Sequence, residues 1–144
     1  MTERFAKPRI ALIDYNSFDN IREYNDSISE LIDILLRKYY KTYGLIPIDG
    51  EKELVPVDKD IYGIIPYSLK NISLSGTCLS NNIKKVVGNF NEKDILVISD
   101  NAKLLSILEE QNYSICFINN GHNDTLSLNG DEINHIQKIN KLLK

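Results

Sequence analysis

Arg9-Ile10-Ala11-Leu12-Ile13-Asp14-Tyr15 is an almost unbroken apolar run that ends in a carboxylate. A strand covered by helices on both faces reads this way, because no alternate position has to meet water. Asp14 then stands at the strand's C-terminal end, the edge at which open parallel sheets form their ligand crevice. The rest of the chain can be read outward from this strand.

Downstream, Ser27-Ile28-Ser29-Glu30 has the spacing of a capping box, and Ile28, Leu31, Ile32, Leu35 and Tyr39 recur at helical intervals. This predicts a helix over about residues 27 to 43, ended by Gly44. Residues 45 to 60, broken by Pro47, Gly50 and Pro56, leave room for one short edge strand. Ile61 to Ile65 reads as a second buried strand stopped by Pro66, and Ile72 to Ser75 as a short third one, with a helix over Asn81 to Val87. Asp94 to Ser99 and Tyr113 to Ile118 are two more strand runs. Between them, Ala102 to Gln111 suits a helix or a strand. Asp131 to Lys144 reads as a closing amphipathic helix with Ile133, Ile136, Ile139, Leu142 and Leu143 on one face. Strands alternating with helices predict one α/β domain over residues 1 to 144. Its layers are three, a mostly parallel sheet flanked by helices in the flavodoxin-like manner.

Composition sets the outer bounds. The chain has 144 residues, enough for a single core, and its 17 Lys and Arg against 20 Asp and Glu give a net charge of −3. A chain that works on phosphate backbones carries the opposite sign, so nucleic acid is not an expected partner. No run approaches a bilayer span and the first residues lack a signal peptide's apolar stretch, so no membrane partner is expected and the expected location is the cytoplasm. Two cysteines and two histidines make neither a disulfide framework nor a zinc pattern, and no cofactor is expected.

Three positions invite acid–base or nucleophilic chemistry. Gly76-Thr77-Cys78-Leu79-Ser80 lies where a strand turns into a helix, which would push the Cys78 sulfur out and place helix N–H groups beside it. The plainer reading is a buried cysteine packing as a small hydrophobe. A thiol nucleophile needs a base, and of the two histidines His135 falls within the predicted last helix. His122 follows a strand in a polar turn, two residues before Asp124, which could orient its ring.

Three blocks in order carry a family likeness: Leu12-Ile13-Asp14-Tyr15-Asn16-Ser17-Phe18-Asp19-Asn20-Ile21; Gly76 through Ile83, on to Gly88; and Cys116-Phe117 through His122-Asn123-Asp124 to Gly130. With these the chain resembles the class I glutamine amidotransferases, most closely the glutaminase component of anthranilate and aminodeoxychorismate synthases. The resemblance implies Cys78 as nucleophile, His122 as general base and Asp124 as the acid that orients it. It further implies an oxyanion site from the N–H of Leu79 and the Tyr67-Ser68 loop, with Ser80 and Asn82 beside the substrate. Glutamine would be the substrate, and a larger synthase subunit consuming the ammonia would be the partner.

The likeness has gaps. Pro66-Tyr67-Ser68-Leu69-Lys70 stands where the family has a glycine-rich loop, Ser80 replaces a glycine, and Asn123-Asp124 replaces Pro-Glu. Cys78 and His122 are 44 residues apart (122 − 78), too close for the family's intervening substrate-binding hairpins. A trimmed active glutaminase and a degenerate member kept as a binding or regulatory subunit are therefore both open. A third reading comes from a different class: Asp14 and Asp100, at the ends of two parallel strands, would hold magnesium in an α/β phosphatase or nuclease. Asn16 and Asn101 occupy the neighbouring positions, which lowers the charge of such a site.

Overall fold

In the computed structural model of the chain, the residues described are 9–15, 30–48, 61–68, 76–118 and 131–133, with side chains outside the description at 76–78 and 131–133. Arg9–Asp14 forms β1, and every residue of it after Arg9 is buried. The predicted strand is therefore present, and its unbroken apolarity has the expected cause. On one face, Ala11, Ile13 and Tyr15 pack with Leu31, Ile32, Ile34 and Leu35 of a helix spanning residues 30–37, called α1. On the other, Ile10 and Leu12 join a core with Leu79, Ile83 and Val87 of α2 (Gly76–Val87) and Leu104, Leu105 and Leu108 of α3 (Ala102–Glu110).

The remaining strands are β2 (Tyr40–Pro47), β3 (Ile61–Tyr67), β4 (Ile95–Ser99), β5 (Ser114–Ile118) and β6 (Asp131–Ile133). They form one six-stranded sheet in the order β3-β2-β1-β4-β5-β6. All five pairings are parallel. The fold is thus a three-layer α/β sandwich of helices about a parallel sheet. From β1 the chain adds β2 and β3 on one side, then returns to add β4 on the other. The C-terminal ends of β1 and β4 therefore flank a topological switch point. Among the described residues no helix is long and apolar enough to cross a membrane.

Several predicted boundaries are corrected. The helix expected over residues 27 to 43 runs through residues 30–37, and Tyr40 to Tyr43 belong to β2, an inner strand of eight residues that takes in Leu45 to Pro47; the rest of the stretch expected to hold a short edge strand, residues 49 to 60, falls outside the described residues. The turn between them uses Tyr39 at φ 67°, a left-handed conformation that stops the helix and sends the chain straight into the sheet. Tyr40 and Tyr43 consequently leave on opposite faces, packing with the α1 core and the α2–α3 core respectively. β3 continues through Pro66 to Tyr67; it is the outermost of the described strands on its side, where a residue lacking an N–H is tolerated.

Helix α2 begins at Gly76, five residues ahead of the predicted start, because Leu79 extends the apolar stripe of Ile83, Val86 and Val87 by one turn. Lys84 and Lys85 lie in its last turn, where cations suit the dipole, and Gly88 at φ 100° ends it. The ambiguous stretch after Asp100 is helical. Asn101 caps it by accepting a hydrogen bond from the Leu104 N–H at 3.1 Å, and Asn112 at φ 76° closes it. Asp131–Ile133, expected to open a helix, is instead strand β6 beside β5. The strand expected over residues 72 to 75 and the helix expected beyond Ile133 fall outside the described residues.

Candidate functional site

Period-two alternation decides which side chains meet at the switch point. Along β1, Ile10, Leu12 and Asp14 share the face covered by α2 and α3; along β3 Ile65 and Tyr67 do so, and along β4 Ile95, Val97 and Ser99. Register brings their ends together. Ile13 pairs with Ile98, which sets Asp14 level with Ser99, while Asp14 pairs with Leu45 and Pro47 with Tyr67 on the other side.

The result is a carboxylate held from both flanks. The Tyr67 hydroxyl reaches across β2 and donates to Asp14 Oδ1 at 2.8 Å, and the Ser99 hydroxyl donates to Asp14 Oδ2 at 2.7 Å. Ser99 Oγ in turn accepts the Asn101 N–H at 2.9 Å, so the residue that caps α3 also orients the serine. Asp14 is 0% exposed. Taking a carboxylate out of water is costly unless donors replace the lost solvation, and these two O–H groups do so at lengths typical of good O–H···O bonds. The N-terminus of α3, with its partial positive charge, opens immediately after the same strand end.

Asp100 is the first residue beyond β4 and is half-buried. Of the three strand-end residues here, sequence points to Asp14 in this place, and to Tyr67 only for the oxyanion task that the resemblance implies. Ser99 was missed. Its signal was a lone hydroxyl in an otherwise apolar strand, on the same alternation as Val97.

The amide-cleaving set is only partly within view. Cys78 is the third residue of α2, inside its first turn; the strand expected to lead into that helix, and His122 and Asp124, lie outside the described residues. Of the positions implied for the oxyanion and substrate, Tyr67 is committed to Asp14, Ser68 follows β3 half-buried, and Leu79 is a core residue. Ser80 Oγ hydrogen-bonds the Tyr113 hydroxyl at 2.9 Å, and Asn82 Nδ2 donates to the Pro66 carbonyl at 3.2 Å, which ties α2 to β3. Burial pushes the Tyr113 hydroxyl above its ordinary value of 10.0, opposed by the Ser80 hydrogen bond.

Comparison with known proteins adds two likenesses. No family model matches the chain. A curated sequence, endonuclease MutS2 of Clostridium tetani, is 29% identical over 104 residues, which span 71% of this chain and 13% of that protein. Among solved structures, the protein YfnB of Bacillus subtilis, described as a HAD-hydrolase bound to magnesium, superimposes with a TM-score of 0.59 at 12% identity. That match covers 83% of this chain and 55% of the other, so the chain spans just over half of its structural neighbour and about an eighth of its sequence relative. The structural likeness is one of fold.

Proposed function

We propose that the chain is a divalent-cation-dependent hydrolase of phosphate esters, working at the C-terminal ends of β1 and β4. The observation that carries this reading is the placement of Asp14 on the central strand, level with Ser99, at the switch point where Asp100 directly follows β4. Carboxylate oxygens are the donors magnesium prefers, and it is commonly held by one or two carboxylates with water and substrate phosphate completing the shell. As carboxylates, Asp14 and Asp100 offer such donors; Asp14 is fully buried and already accepts a hydroxyl at each oxygen, so a cation there would use its remaining lone pairs. No group of three His, Cys, Asp or Glu gathers among the described residues. A cation held there would supply charge stabilisation to phosphoryl oxygens during hydrolysis. The partial positive charge at the Asn101-capped N-terminus of α3 favours an anionic group on the same edge.

The names of the two similar proteins, a hydrolase bound to magnesium and an endonuclease, support hydrolysis. The net charge of −3 favours a small phosphate ester over a polynucleotide. The test is release of p-nitrophenol from p-nitrophenyl phosphate in magnesium chloride, with EDTA and with Asp14→Asn and Asp100→Asn. We expect EDTA to stop turnover and each variant to lower it by about 100-fold or more. Turnover indifferent to EDTA and to both substitutions counts against the proposal.

One observation favours a second reading, the amidotransferase-like glutaminase: Cys78 lies in the first turn of α2, where the dipole favours a thiolate. Stoichiometric labelling of Cys78 by diazo-oxo-norleucine, lost in Cys78→Ser and slowed in His122→Ala, supports it. Absence of labelling with a candidate synthase subunit present removes it.

A further inference from the structure

The Tyr67 hydroxyl comes from the outermost described strand, passes over β2 and meets Asp14 Oδ1 at 2.8 Å, while Ser99 holds Oδ2 from the opposite flank. A carboxylate gripped at one oxygen can still rotate about its last torsion. Gripped at both, by donors on opposite sides, its plane is fixed. Both donors are themselves immobilised: Ser99 is 0% exposed and takes the Asn101 N–H, and Tyr67 is 4% exposed with its ring in the α2–α3 core. We infer that Tyr67 is a positioning residue for the hydrolytic site, setting the plane in which Asp14 presents its oxygens. This role rests on the phosphate-ester reading above. It explains why a tyrosine, with a polar group at the end of a rigid ring, stands at the end of an apolar edge strand where a leucine would pack as well.

Two readouts test it. In proton NMR, a hydroxyl held on a buried carboxylate gives a slowly exchanging downfield resonance. It should be present in the wild type and in Ser99→Ala, absent in Tyr67→Phe, and displaced in Asp14→Asn. In kinetics with p-nitrophenyl phosphate and magnesium, Tyr67→Phe keeps the ring and removes only the donor. Because a misplacement of about 1 Å can cost about 100-fold, kcat should fall roughly 10- to 100-fold with KM within about threefold. A merely structural role would lower the melting temperature and leave kcat unchanged, so it is the kcat loss that distinguishes the two. No resonance in the wild type, or an unchanged kcat in Tyr67→Phe, overturns the inference. A wild type without magnesium-dependent turnover overturns the function and this role together, and is told apart because the resonance survives.

Discussion

Gly44 lies in the middle of β2, paired with Ile13 of β1, and has the Tyr15 ring directly over it. A methyl group built on Gly44 would stand 3.0 Å from Tyr15 Cε1 and 3.2 Å from Cδ1. Carbon atoms pack comfortably at about 3.5 to 4.0 Å, so the ring must retreat by a few tenths of an ångström. It has nowhere to go: Tyr15 is 0% exposed, enclosed with Leu31, Ile34 and Leu35 of α1. Overpacking of this kind costs about 1–3 kcal/mol, against which alanine recovers about 0.5–1 kcal/mol of chain entropy in the unfolded state. The net expectation for Gly44→Ala is a loss of about 1–2 kcal/mol, or a fall in Tm of roughly 2–8 °C for a chain of this size. Urea unfolding followed by circular dichroism measures it, with Tyr15→Leu and the double variant completing a cycle. In the leucine background the penalty should vanish, giving a coupling of about 1 kcal/mol or more. A Gly44→Ala protein as stable as the wild type at unchanged m, or a penalty that persists without the ring, would refute the steric reasoning.

Other expectations follow from single contacts. Tyr39 is 85% exposed at φ 67°, so Tyr39→Gly should stabilise the fold by about 1 kcal/mol through relief of left-handed strain, read in the same urea assay. Leu105 is 0% exposed between α3 and the sheet, and Leu105→Ala should cost about 2–5 kcal/mol. Tyr113 has its hydroxyl pKa raised by burial, so its neutral form is favoured in the folded chain; the resulting stability is whole below pH 10 and declines as pH rises through the folded value. Urea midpoints taken from pH 8 upward should fall less steeply in Tyr113→Phe than in the wild type. Glu92 is lowered by its own backbone hydrogen bond and by Lys84, 3.4 Å away, so its small contribution is present above the ordinary carboxylate value and lost on acidification. Adding salt should erase the part that depends on Lys84, a change absent from Lys84→Ala.

What the sequence revealed tracks how each strand is buried. β1, β4 and β5 lie inside the sheet under helices on both faces, and their unbroken apolar runs could be seen directly. β2 is equally interior but opens with Tyr40, Lys41 and Thr42, and its tyrosines continue the period of the preceding helix; only the left-handed Tyr39 separates the two elements. No propensity announces a tyrosine in that conformation. The four leucine and isoleucine positions of α3 fit either period, and the deciding signal was local: Asn101, whose side chain caps the helix. Asp14 could be chosen from its strand-end position alone. Its partners could not, because Ser99 and Tyr67 acquire meaning only when register sets β4 and β3 beside it.

The bonds around Asp14 join residues 53 and 85 positions apart along the chain. Contacts of such separation are reached only after long loops have closed, so they form late, once β3, β1 and β4 have already docked. A folding barrier crossed before these bonds form would leave the carboxylate hydrated until the final descent. Lesions at Tyr67 or Ser99 should accelerate unfolding while leaving the refolding rate nearly untouched.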